Sequence, residues 1–267
     1  LLSLQQINSF TLIGPGKVGI VISYLLKKII KLDSIIGSSS KNNYNVNQYL
    51  SCDIIDFPDE INADLILIAT PDDKVVQIVD KLKKINIKNK LIIHFSGILT
   101  SEIIKINDNE AISIHPIMSF TDIENSLKTI NNHYFSIEGN ENTINNFLPI
   151  FEKITNKYFI IQKEEKPFYH LSCVLINNFV TAMVQIGADL TKSEYVKYYL
   201  PLIEDVLINM ENTNNPIDKL TGPIVRNDIS TIEKHKEILK SNQNILNIYN
   251  SITHYITEKI KKPTEKN

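Results

Sequence analysis

The sequence predicts an α/β fold in which a doubly wound sheet is followed by an all-α C-terminal domain. Three observations predict it. Short β-branched runs alternate with longer helical patterns from Asn8 to Asn156, the order expected of parallel strands joined by right-handed crossovers. A glycine-rich turn stands between the first strand pattern and the first helical one. Beyond Pro167 the apolar period becomes that of long helices alone.

The strand runs are Phe10–Ile13, Ser34–Gly37, Leu65–Ala69, Leu91–Phe95, Ala111–Ile114 and Tyr134–Ile137, with a last one at Tyr158–Gln162. Most are nearly continuous in apolar residues, as strands covered on both faces must be. Helical patterns occupy Lys17–Lys31, Lys74–Ile85 and Thr143–Thr155. The charged stretch Lys163–Lys166 and Pro167 read as a linker, so the domains are expected at 1–163 and 164–267. In the second, helices are expected over His170–Leu190, Lys192–Met210 and Ile229–Ile260, the last with a break.

Composition narrows the function. A hydrophobic share of 43% and a charged share of 22% belong to a globular chain and argue against disorder. A formal charge of -2 leaves no broad basic surface, so no nucleic-acid partner is expected. Apolar runs such as Val18–Leu26 stop well short of the ~20 residues that a bilayer span requires, and no membrane association is expected. The opening residues lack the cationic start and cleavage site of a secretory signal. Cys52 and Cys173 stand far apart without metal-ligand spacing, which suggests reduced thiols, a cytoplasmic location and no metal site.

The segment Gly14-Pro15-Gly16-Lys17-Val18-Gly19 runs from a strand into an amphipathic helix. Gly14 makes the tight turn, Gly16 lets backbone approach a pyrophosphate, and Gly19 allows close helix–strand packing. The helix start then offers free N–H groups and a positive dipole end to phosphates. This is the fingerprint of a Rossmann dinucleotide-binding domain. After the second strand comes Gly37-Ser38-Ser39-Ser40-Lys41 in place of the acid that would bond a ribose 2′-hydroxyl. Hydroxyls and a cation accept a 2′-phosphate, so NADP is expected over NAD, a solvated polar loop being the plain alternative. Ala69-Thr70-Pro71 and Ser96-Gly97 follow other apolar strands and should border the same ligand, while Asp72 and Asp73 suit a helix cap.

Together these segments resemble a family of bacterial proteins that pair a Rossmann-like domain with a helical domain of unknown function, DUF2520. More distantly they resemble pyrroline-5-carboxylate reductase and the 6-phosphogluconate dehydrogenase group. The resemblance rests on Gly14–Gly19, Ala69–Asp73, His94–Gly97, Ser113–Ile117, His170 followed by Asn178, and Leu220–Asp228 with His235 beyond. Lys41 stands where the family usually carries Arg, which keeps the charge without the planar fork. The resemblance implies a fold and a cofactor class, and no substrate.

The chemistry has to be sought in polar residues near the expected site between the domains. His115 ends a strand before Pro116 and either serves as acid, base or substrate ligand or holds a loop. His170 opens a helix on which Asn177 and Thr181 share its direction and Asn178 lies about 80° away, either a catalytic stripe or hydrogen-bonded residues of a dimer core. In the 6-phosphogluconate dehydrogenase group a lysine one turn before the Asn carries the proton; four before Asn178 stands Val174, so His170 is the replacement candidate. Arg226 either clamps a substrate anion or pairs with Asp228, which also suits an N-cap. His94 reads as a structural core residue, and His133 and His254 as surface ones. The expected activity is an NADP-dependent oxidoreductase acting as a homodimer on a small polar carbonyl or imine. The alternative is a dinucleotide sensor that kept the fold and lost the chemistry.

Overall fold

The computed structural model describes residues 7–38, 43–191, 195–211 and 213–261. The chain divides into two compact units, Leu1–Asn178 and Phe179–Asn267. The first is built on an eight-stranded sheet of order β3-β2-β1-β4-β5-β6-β7-β8. Its strands are β1 (Ser9–Ile13), β2 (Lys31–Ile36), β3 (Ile54–Ile55), β4 (Leu65–Ile68), β5 (Leu91–His94), β6 (Glu110–Pro116), β7 (Phe135–Gly139) and β8 (Tyr158–Ile160). Strand order reverses between β1 and β4, where doubly wound sheets open a ligand crevice beyond their strand ends.

Side-chain alternation places two apolar layers on this sheet. Phe10, Leu12, Leu65, Leu67, Leu91 and Ile93 enter one core with α1 (Lys17–Leu26), α2 (Asn43–Tyr49) and α5 (Glu141–Phe151). Ile13, Ile66, Ile68 and Ile92 enter the other with Val75, Val79 and Leu82 of α3 (Asp72–Lys84). All four residues of β4 and all four of β5 are buried, which is why these runs carry no polar alternation. Each such side chain contributes about 1.5–3 kcal/mol by leaving water.

The fold agrees in class with the sequence reading and differs in detail. The first helix stops at Leu26, and Lys31 opens β2 by pairing with Ser9; the alternating exposure of Lys31–Ser34 hid a half-covered strand. β7 runs antiparallel to β6, so the sheet is not parallel throughout. The short elements β3, α2 and α4 (Ile123–Thr129) had no periodic signal long enough to read. Pro71, not an acid, is the N-cap of α3; Asp72 and Asp73 lie in its first turn, where they complement the helix dipole.

The expected linker is a turn over 163–165 that runs straight into helix. α6 (Lys166–Val174) begins with Pro167 in its first turn, a position that needs no amide donor. A wide π-turn, Leu175–Phe179, follows it and leads into α7 (Val180–Asp189). The whole stretch Lys166–Asp189 is long and apolar enough to cross a membrane by length and composition, which reading only unbroken apolar runs had missed. Its opening turn is tied to the sheet unit by the buried Lys166, while little of the rest is buried.

The second unit holds α7, α8 (Val196–Met210), α9 (Ile229–Leu239) and α10 (Gln243–Lys261). The expected break in the last helix falls between α9 and α10, which are joined by a 2.9 Å bond between His235 Nδ1 and the Tyr249 hydroxyl. Asp228 is the N-cap of α9 and accepts from the Thr231 amide. Within this unit α7 and α8 line an apolar groove of about 580 Å³ that includes Met183, Leu202 and Val206.

Candidate functional site

The glycine turn is built as its sequence implies. Gly14 has φ +89°, and a Cβ there would lie 2.7 Å from Thr70 Cγ2 and 3.0 Å from the Ala69 carbonyl. A Cβ on Gly19 would meet the Gly14 carbonyl oxygen at 2.7 Å, so this glycine sets the approach of α1 to β1. At Gly16 a Cβ would meet only Ala69 O, at 3.8 Å, which leaves the space above this backbone open. Gly16 caps α1 without a side-chain bond, and no acid stands in the first turn. The Thr70 hydroxyl beside the turn is buried without a partner. An uncapped helix start, an open glycine and an orphan hydroxyl fit the diphosphate of a dinucleotide.

Around this turn the predicted cofactor residues gather at the strand ends. Pro15 packs against Gly37 at the end of β2, and Ser38 follows, exposed. Ser39, Ser40 and Lys41 lie outside the described residues. Lys17 and Val18 open α1; the Lys17 ammonium is engaged by the Thr121 carbonyl at 2.5 Å. Ala69, Thr70 and Pro71 follow β4, and Ser96 and Gly97 follow β5.

A second group of side chains meets beside Gly97. His94 closes β5 and is fully buried; its Nδ1 accepts from the Ser96 amide at 3.1 Å, so its Nε2–H donates to the Thr100 carbonyl at 3.1 Å. The Lys166 ammonium, also at 0% exposure, donates to the Ser96 carbonyl at 3.2 Å and to Ser113 Oγ at 2.8 Å. Ser113 Oγ donates in turn to Ser96 O at 3.3 Å. Two residues further along β6, His115 Nδ1 lies 2.7 Å from the Tyr169 hydroxyl. The rings of His115 and His170 stand 6.0 Å apart at 74°, and both converge on Gly97. A Cβ on Gly97 would lie 3.0 Å from His115 Nε2 and would overlap His170 Cδ2.

Burial sets the charge states. Desolvation first, then the Lys166 charge and His170, push His115 down to about 4. His94 falls to about 4 as well, chiefly by desolvation, with Lys166 adding to it. Burial brings Lys166 down to about 8, against the opposing pull of Glu138 and Asp72. Desolvation likewise raises the Tyr169 phenol, which stays protonated and able to donate to His115 Nδ1. Near neutrality both imidazoles are therefore uncharged while most Lys166 is cationic.

His115, His170 and Asn178 line one cleft of about 490 Å³, with His133, Cys173 and Asn177. His133 is thus a wall of this cleft rather than a surface residue; its Nδ1–H donates to the Ile117 carbonyl at 3.1 Å. His254 is exposed, as expected. Asn177 donates to Asn178 Oδ1 at 3.1 Å across the π-turn, so the α-helical wheel used to phase them does not apply. Arg226 is exposed in the second unit and makes no salt bridge with Asp228 among the described residues. The Asp228 carboxyl is held low first by Thr231, then by Ser230, with Arg226 a lesser influence.

Sequence reasoning missed Lys166 and Tyr169. Lys166 stands one helical turn before His170, a spacing masked in the sequence by the charged run and Pro167 that resemble a linker.

Residues 133–256 match the family described as a domain of unknown function, DUF2520. No curated protein matches the chain. Among solved structures, a candidate NADP oxidoreductase from Bacteroides fragilis is 19% identical, with 94% of this chain and 98% of that one covered and a TM-score of 0.80. An imine reductase from Myxococcus stipitatus in complex with NADP+ is 11% identical over 95% and 94% of the two chains, at a TM-score of 0.64; its V8 variant is in complex with NAD+. The 1-pyrroline-5-carboxylate reductase of Streptococcus pyogenes is 17% identical over 95% and 98%, at 0.60. At these identities the likeness establishes the Rossmann-like α/β fold with a helical C-terminal part.

Proposed function

We propose that the chain is an NAD(P)-dependent oxidoreductase that acts on a small polar carbonyl or imine in the cleft of His115 and His170. The observation that carries this reading is that the open glycine turn after β1 and the Ser96–Gly97 loop after β5, on which the two imidazoles converge, both follow parallel strands at the same edge of the sheet, beside its switch point. The nicotinamide dinucleotides carried by its structural neighbours exchange a hydride when bound. Gly14, Gly16, Gly19 and the first amides of α1 would hold the diphosphate, with Thr70 beside it. Ser38, Ser39, Ser40 and Lys41 would meet the adenosine ribose, and their hydroxyls and cation favour NADP.

The protein's own part is positioning and proton handling. Tyr169 occupies His115 Nδ1, so Nε2 is the ring nitrogen left to bond a substrate oxygen or nitrogen. His170 and the amide of Asn178 orient the substrate from the opposite helix. Arg226 stays outside this assignment. Titration with NADPH and NADH at fixed salt tests the reading: NADPH should bind more tightly, and Lys41→Asp should erase the difference. Equal affinities for the unmodified protein would remove the NADP preference, and binding of neither would remove the reading.

A dinucleotide sensor of the same fold remains the second reading, favoured by the low pKa of His115, which leaves it unprotonated and a poor base near neutrality. Stoichiometric NADPH binding without turnover on a panel of cyclic imines and 2-oxo acids would select it. We further infer that the protein is a homodimer, because α7 and α8 expose apolar residues such as Leu202 at 63% that a second copy would cover. Sedimentation as a monomer at micromolar concentration would reject that. The free thiols Cys52 and Cys173 suit a reducing compartment such as the cytoplasm.

A further inference from the structure

We infer that the His115–His170 cleft selects a small carbonyl substrate bearing a carboxylate, and disfavours a cationic iminium, because the buried Lys166 ammonium beside it has no ion-pair partner among the described residues. The inference rests on the oxidoreductase reading and narrows its substrate.

Lys166 is wholly buried, yet its two acceptors, Ser96 O and Ser113 Oγ, are neutral. An ammonium has three donors, and among the described residues the third meets no acceptor. No carboxylate forms an ion pair with it among those residues. Glu138, the buried acid that influences it, is already engaged by the amide and the hydroxyl of Ser101 at 2.7 and 2.9 Å. Buried charges ordinarily have a partner, because a low-dielectric surrounding screens them poorly. Here no described residue pairs with it directly, and Glu138 and Asp72 attract it only from a distance.

The cleft shows the same imbalance. Its polar wall consists of His115, His133, His170, Asn177, Asn178 and Ser119, together with the Cys173 thiol, and among the described residues no Asp or Glu lines it. Lys166 stands close behind this wall: its ammonium bonds Ser113, two residues before His115 on β6, and it lies one helical turn before His170 on α6. The His115 Nε2–H and the Asn178 amide can donate to a carboxylate without adding a charge. A carboxylate placed there would bond these donors and offset the Lys166 charge. A protonated imine would bring a second cation beside it with no anion to receive either, an arrangement that discriminates by repulsion.

A purely structural role for Lys166, fastening the Ser96 loop to β6, would not depend on ligand charge. The test therefore compares three ligands of similar size: propionate, propionamide and propylammonium. Each is titrated into the NADPH-saturated protein while the ring NMR signals of His115 and His170 are followed. Propionate should bind at least about tenfold more tightly than either other ligand, the effect of one poorly screened unit charge. In Lys166→Met propionate should fall to the affinity of propionamide, while propionamide itself is unchanged. If that variant does not fold, the unmodified protein still decides: propylammonium binding as tightly as propionate, or propionate leaving both rings unperturbed, overturns the inference. NADPH binding is measured separately by fluorescence. Its absence would sink the oxidoreductase reading, and the three ligands can still be ranked on the cofactor-free protein.

Discussion

The glycine turn and the histidine cleft stand at strand ends along one edge of the sheet and are built by opposite means. The turn is made from backbone within one short run, Gly14–Gly19, and its work is done by what the residues lack. The cleft is made from side chains carried on β6, α6 and the segments that follow them, and its work is done by the environment each gives the others. The first kind of site tolerates almost no added atom. The second should respond in graded fashion, according to which partner is removed.

The largest effect should follow from breaking the backbone site. Gly16→Val fills the open space above the turn with branched carbons, and cofactor binding by fluorescence titration should become undetectable while the circular dichroism spectrum is kept. Retained binding would show that the turn is not a cradle. Next comes His115→Ala, which should lower turnover by about 10²–10⁴-fold, the range for removing a positioned proton carrier, with NADPH affinity unaltered. Should turnover survive, the cleft contributes binding alone.

Acid should separate the regions further. His94 and His115 titrate at about 4 when folded, below the ordinary value, so the unfolded chain binds more protons between pH 4 and 6.5. Stability is then highest above pH 6.5 and falls toward pH 4, by on the order of 3 kcal/mol for each ring. Urea unfolding at a series of pH values reads this directly, and a flat profile would mean that the imidazoles are not held neutral. The smallest expected change is Tyr169→Phe. It removes one hydroxyl partner of His115 and should reduce turnover by about tenfold or less, with an altered His115 nitrogen shift as its signature. An unchanged shift would leave Tyr169 a packing residue.

The same contrast explains what could be read in advance. Gly14, Gly16 and Gly19 announce themselves because a left-handed turn and a close approach admit no other residue, and the reading needs only neighbours in sequence. β4 and β5 were legible for a similar reason, since double-sided burial leaves an unbroken apolar run. Lys166 was not legible. Charged residues flanking a proline look like a linker, and only the packing of α6 against β5 and β6 shows one of them to be interior. His133 was hidden likewise, because its role depends on where Ile117 brings the chain back. The π-turn had no signature in residue type, and it spoiled a helical phase that had been counted correctly.

His94 also acts as the hasp of the loop it precedes. One ring nitrogen receives the Ser96 amide and the other reaches the Thr100 carbonyl, so a single side chain fastens the loop near its beginning and at its end. A proton added to Nδ1 would turn the acceptor into a donor facing another donor, and the first fastening would spring open while the second held. Because the Ser96 carbonyl of that loop is also what the Lys166 ammonium grips, acid near pH 4 would disturb the hold on Lys166 as well.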